Sequence, residues 1–346
     1  MVTTGTVTAA NQSAYNARKP ILVGENILEN AATANWYELV SPSTVVDTGD
    51  VSAVNASFPT TRVYDRHNHL VAKPTRRAAP NSSSGYGIIF DLGSTDYSFD
   101  CVVIAGHNLS SLQSTATSNG GDLYVQVWAA DDINFTTNVK QVATFWGGHT
   151  GSFTDNKPLT SFDCGTNHGS VGNIEGAGEF TTYSSVRYLQ ISVYDDTNTT
   201  GASAISSPEL GEVFIGTRRQ LSAQPNLPLS TKVTRSNIVD FNAKSGVVSR
   251  YVMNTGQKVY PDLTWEGDGS DGYGLDDIGT LESFFKSDIT HGTKPFFYAP
   301  DPVTNPREIY FMLLEDAEFG AQNVFGPDTE TVSVSMTEVS PFYSSL

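Results

Sequence analysis

The 346-residue chain carries 37 Asp and Glu against 20 Lys and Arg, a formal charge of −17, with 38% hydrophobic, 11% aromatic and only 16% charged residues. That length points to two domains with sizeable cores, while the acidic balance excludes a phosphate-clamping nucleic-acid binder, which needs a positive face. Ser, Thr, Asn and Gly stand where surface charges usually do, which favours strands and turns over long helices.

Residues 1–20 are polar, small and aperiodic, and predict an arm that orders only against a partner. The N-terminus has neither the basic start nor the apolar core of a signal peptide, and no run approaches 18 apolar residues. The expectation is therefore a cytoplasmic product with no membrane insertion. From Ile21 onward, short apolar or alternating runs recur between Gly, Asn, Asp and Ser clusters, the pattern of an all-β sandwich or barrel. Gly87–Leu92 is a compact apolar run, and Phe99–Ala105 reads as a central core strand with Cys101 a small buried hydrophobe. Leu123–Ala129 is rich in β-formers but alternates less cleanly. Residues 147–178 read as a long loop, Leu189, Ile191 and Val193 share one face of Tyr188–Tyr194, and Gly211–Gly216 closes this half.

Residues 218–231 hold Pro225 and Pro228 and no periodicity, and predict the linker between a first domain at 21–217 and a second at 232–346. In the second, Val247–Met253 and Lys258–Tyr260 across Asn254–Gln257 predict a hairpin. Ile278, Leu281, Phe284 and Phe285 give one apolar face to a helix near 276–290, with Asp276 or Asp277 as cap and Gly292 beyond its end. Strands follow at Lys294–Ala299, Glu308–Leu314 and Thr331–Val339, the last with Val332, Val334 and Met336 inward. The fold class predicted is all-β, a jelly-roll β-sandwich followed by a second mostly-β domain with one short amphipathic helix.

Several segments resemble, in order, the discoidin or coagulation-factor type C family of galactose-binding-like jelly rolls. These are Ile88-Ile89-Phe90-Asp91-Leu92-Gly93, Phe99–His107, Val125–Asp132, Arg187–Ile191 and Glu209–Gly216, spanning about residues 20–217. The family's flanking disulfide is absent. The second domain resembles the C-terminal parts of bacteriophage tail proteins, on Phe284-Phe285, His291–Tyr298, Asp301-Pro302 and the last alternating strand. The resemblances imply a non-enzymatic virion component of the tail or baseplate, assembled in the host cytoplasm with other copies of itself and other virion proteins. The alternative is a carbohydrate- or receptor-binding module for a host surface glycan.

The candidate sites follow from chemistry. Arg62, Arg66, Lys73, Arg76 and Arg77 form a basic stretch, read either as a solvated loop or as a dock for an acidic neighbour. His107, Asn108 and Trp146 are candidates for a ligand at the sandwich's end loops, against a bland reading as loop and core residues. Asp268 and Asp271 lie in an oxygen-rich Gly loop that departs from the helix-loop-helix calcium pattern at Tyr273, Leu275 and Asp276. Asp131 and Asp132 are ligand candidates for a structural calcium that the discoidin resemblance implies. No further cofactor, nucleophile elbow or phosphate loop is marked.

Overall fold

The computed structural model describes residues 20–39, 46–51, 57–67, 70–74, 85–94, 97–118, 120–146, 153, 158–161, 183–195, 207–221, 225, 230–234, 237–242, 248–254, 258–267, 278–300, 309–321 and 330–339. Two compact units result, one of residues 25–218 and one built mainly from 1–24 and 219–346. The expected arm lies outside the described residues except for Pro20. The first strand, β1 (Ile21–Val23), belongs to the C-terminal unit rather than to the jelly roll.

The 25–218 unit is a β-sandwich. In chain order it holds β2 (Thr33–Leu39), β3 (Val46–Val51), β4 (Gly85–Asp91), β5 (Tyr97–Phe99), β6 (Cys101–Ala105), α1 (Leu109–Ser118) and β7 (Leu123–Ala130). These are followed by β8 (Lys140–Trp146), β9 (Leu159–Ser161), β10 (Tyr183–Val186), β11 (Tyr188–Asp195) and β12 (Glu212–Gly216). One sheet has the order β3-β2-β4-β11-β7-β8, a second β12-β6-β9, and β5 pairs with β10. Trp36, Ile88, Phe90, Val125, Val127, Leu189, Ile191 and Val193 turn inward against Val102, Ile104, Val213 and Ile215. The five family-like segments all fall on strands.

Three local outcomes differ from the sequence reading. The core strand breaks at Asp100, whose carboxylate accepts the Arg218 N–H at 2.8 Å while its own N–H bonds Gly216. β7 alternates cleanly after all, with Leu123, Val125, Val127 and Ala129 buried and Tyr124, Gln126 and Trp128 half-buried. The helix α1 was not foreseen, because Leu109–Ser118 is poor in helix formers. Leu109, Leu112 and Ala116 bury one stripe, and Ser114, Thr115 and Ser118 return their hydroxyls to carbonyls one turn back.

The C-terminal unit adds β13 (Arg218–Gln220), β14 (Ser230–Thr234), β15 (Asn237–Asn242), β16 (Val248–Asn254) and β17 (Lys258–Gly267). A helix α2 (Ile278–Ser283) runs on into a π-turn (Phe284–Asp288), and β18 (Phe296–Ala299), β19 (Tyr310–Ala321) and β20 (Glu330–Glu338) follow. Its seven-stranded sheet runs β13-β1-β18-β19-β20-β17-β14. Val332, Val334 and Met336 pack with Leu263, Trp265, Phe284, Phe285 and Phe296. The expected linker is thus partly strand, as β13 and the start of β14. The expected hairpin is also rearranged: β16 pairs with β15, and β17 goes instead to β14 and β20. The local turn signal at Asn254–Gln257 loses to the longer ladders available on either side.

Candidate functional site

The large jelly-roll sheet has a second, non-core face. The alternation that sends Leu189, Ile191 and Val193 inward turns Tyr188, Gln190, Ser192 and Tyr194 the other way. The register sets Gln190 opposite Ile89 on β4 and Trp128 on β7, and Ser192 opposite Gly87 and Gln126. On β2, Asn35 faces Ile89 and Tyr37 faces Gly87. The face therefore carries Asn35, Tyr37, Tyr124, Gln126, Trp128, Tyr188, Gln190 and Tyr194, while β4 contributes no side chain at Gly85 or Gly87. Tyr37, Tyr188 and Tyr194 are buried in one cluster with Leu39, Ile89 and Phe135, against which Tyr124 and Trp128 pack.

The geometry is ordered. Tyr124 and Tyr194 stack with centroids 5.4 Å apart and planes 10° apart. Trp128 Nε1 donates to Gln126 Oε1 at 3.2 Å, fixing both side chains on the half-buried strand. Gln190 is 0% exposed. Its Nε2 donates to Ser192 Oγ at 2.5 Å, and its Oε1 has no hydrogen-bond partner. Turning the amide over would only exchange which end is left without one. A buried amide half-satisfied in this way is costly and calls for an explanation.

Asp91 closes one end of the face. Its carboxylate takes Arg187 Nε at 3.1 Å and Nη2 at 3.2 Å, and the Gly93 N–H at 2.8 Å. The Arg187 guanidinium, which also lies 5.0 Å from the Tyr188 ring centroid, holds the Asp91 carboxyl below its usual range. Burial, with the Asp91 charge beside it, pushes the Tyr188 phenol up.

The β7–β8 loop next to the face is organised by Asp132. Its oxygens accept the N–H groups of Asn134, Thr136 and Thr137 and the Thr136 hydroxyl. Slight desolvation raises its carboxyl and the Thr137 and Thr136 bonds outweigh that, leaving it below the usual range. Asp131 accepts Asn138 Nδ2 at 2.5 Å. Both acids expected to hold calcium are thus engaged by their own loop. Among the described residues no three His, Cys, Asp or Glu side chains converge as a metal cage. Asp268 and Asp271 lie outside the described residues.

The expected end-loop ligands have structural positions. His107 is only 5% exposed, directly after β6. Asn108 starts α1 through its carbonyl, accepts the Glu209 N–H at 2.9 Å, and donates to Ser207 at 3.4 Å. Trp146 ends β8 opposite Tyr124, and its side chain lies outside the described residues. In the basic stretch, Arg62 Nη1 donates to the Val71 carbonyl at 3.4 Å and lies over Phe58. Arg66 pairs with Glu29 and sits 4.9 Å from the Phe214 ring centroid, and Lys73 pairs with Glu209 at 2.5 Å. These three cations are held within their own unit; Arg76 and Arg77 lie outside the described residues. Neither the outward amide of Gln190 nor the burial of Glu212 is marked in the sequence, since both depend on strands distant in the chain.

No protein-family model matches the chain, and no curated protein matches it either. Among solved structures it is similar to a protein described as CpGH89CBM32-6 from Clostridium perfringens, at 9% identity and TM-score 0.29, over 55% of this chain and 98% of that one. The lectin-binding domain of Lectinolysin, a His 62 mutant complexed with Lewis b, matches at 15% identity and TM-score 0.30, over 56% and 96%. The family 32 carbohydrate-binding module of Clostridium perfringens NanJ, in complex with galactose, matches at 9% identity and TM-score 0.30, over 58% and 99%. Likeness this remote leaves function to the chain's own side chains.

Proposed function

We propose that this chain is a non-catalytic binding protein whose jelly-roll domain takes a carbohydrate on the non-core face of its large sheet. The observation that carries the reading is the half-buried row Tyr124, Gln126 and Trp128 on β7, where Gln126 fixes Trp128 and Tyr124 stacks on Tyr194, beside the buried Gln190 amide whose Oε1 has no partner. Sugars present hydroxyls on their rims and C–H groups on their ring faces. Amides match the first and aromatic rings the second. The half-buried row from Tyr124 to Trp128 runs about 14 Å along β7 at the usual rise per residue, long enough for more than one sugar ring. No observation among the described residues favours the virion role expected from the second domain.

The test is titration calorimetry of the purified chain against a panel of neutral oligosaccharides. Trp128→Ala should weaken binding about tenfold, roughly 1.4 kcal/mol, and Gln126→Ala by a similar factor, with unfolding curves confirming that each variant is folded. Wild-type binding that neither substitution changes would place the ligand elsewhere; no binding by the wild type would end the reading.

A further inference from the structure

The second buried polar group without an evident purpose is Glu212, at the start of β12. It is 0% exposed, paired in register with Ala105, and neither carboxyl oxygen has a hydrogen-bond partner at normal geometry, the Arg66 backbone N–H being the donor nearest to serving it. Four elements pack around β12. The 3-10 turn Ile27–Asn30 presents Glu29; the turn Thr60–Val63 and the residues after it present Arg62, Asp65 and Arg66. β6 presents Cys101, whose thiol donates to the Gly216 carbonyl at 3.1 Å, and β5 presents Tyr97. The local count is three carboxyls and two guanidiniums. Arg66 is committed to Glu29 and to the Phe214 ring, and Arg62 to the Val71 carbonyl and the Phe58 ring.

The 64–67 segment is held by its contacts rather than by local preference. Arg66 has φ +62, the left-handed region that a residue with a side chain enters at a cost. Asp65 turns back on His67, accepting its N–H at 2.9 Å. An ionised Glu212 would be a desolvated anion beside Asp65 and Glu29, which the Arg66 N–H and its Glu29-paired guanidinium only partly answer. The ways to relieve it are to stay protonated or to let water in, and the strained 64–67 segment is the cover with least to lose by moving.

We propose that Glu212 is a proton-operated latch: neutral, it lets residues 64–67 close over the start of β12; ionised, it opens them. Burial pushing the Glu212 carboxyl well up, with Asp65 adding to the rise and Arg66 opposing it, places the opening on the alkaline side of the ordinary carboxylate range.

The test is amide hydrogen exchange of the full chain from pH 5 to pH 10, corrected for intrinsic rates, with and without calcium chloride. Protection of residues 62–67 should fall at least tenfold across that range in the wild type and stay constant in Glu212→Gln. Asp65→Asn, which removes the neighbouring charge but keeps the latch, should move the opening to lower pH, since Asp65 adds to the rise of the Glu212 carboxyl. Identical profiles for the wild type and both variants overturn the proposal. So does calcium restoring protection in the wild type but not in Glu212→Gln, since Glu212 would then be a cation ligand.

Discussion

Asn26 does more for the jelly roll than its small size suggests. Its Oδ1 accepts the N–H groups of Leu28 and Ile215, and its Nδ2 donates to the Val213 carbonyl at 2.8 Å, all in a buried setting. Asn26→Ala leaves buried backbone groups unpaired and should cost about 2–3 kcal/mol in chemical denaturation; a loss under about 0.5 kcal/mol would deny it that role. Asp91 and Glu212 act on pH in opposite senses. Asp91 is held low, so its contribution is present above the ordinary carboxylate value and is lost as pH falls through its folded value. Glu212 is held high, so its contribution is complete below the ordinary value of 4.5 and is lost as pH rises toward its folded value. Melting curves should accordingly show Glu212→Gln gaining on the wild type with rising pH, and Asp91→Asn closing its deficit in strong acid. At this scale the sequence marks residue type but not burial. Gln190 and Glu212 look like ordinary solvated positions, because what buries them comes from strands and turns distant in the chain, β4 and β7 for Gln190 and β6 and the turn Ile27–Asn30 for Glu212.

Strand pairing explains which elements tolerate change. Gly85 on β4 lies where an added Cβ would meet the Val193 carbonyl at 2.1 Å and Tyr194 Cα at 2.6 Å, distances no real Cβ keeps. Gly85→Ala must part β4 from β11 at the centre of the large jelly-roll sheet, and about 3 kcal/mol or more of lost stability is expected in urea titration. Unchanged stability would mean that the two strands are less closely held. Elements with long apolar periodicity were legible: β6, β11, β12 and β20 lie where their residues predict. Those that depend on competing partners were not. β16 had two strands within reach and took β15, and α1 rests on three buried side chains and hydroxyl back-bonds rather than on helix propensity.

The whole chain is built as one unit inserted into another. β1 and β13 are neighbours in the C-terminal sheet, the Leu221 N–H donates to the Pro20 carbonyl at 2.9 Å, and residues 25–218 form the unit connected between those strands. The sequence placed a boundary near residue 218 but could not show that residues 21–23 return to the second domain. Three residues of apolar strand carry no address, and their partner β18 lies some 270 residues on. Truncation to begin at Glu25 should therefore strip β18 and β13 of a partner. Calorimetry should show the C-terminal unit's transition lowered or lost and the jelly roll's retained, whereas two unchanged transitions would deny β1 its place. Carbohydrate binding on the jelly-roll face is best mapped by hydrogen exchange of the chain with bound oligosaccharide at fixed pH. Binding there should concentrate protection in residues 123–130 and 188–195. Protection confined to the end loops around His107 and Asn108, with those two strands unchanged, would contradict it.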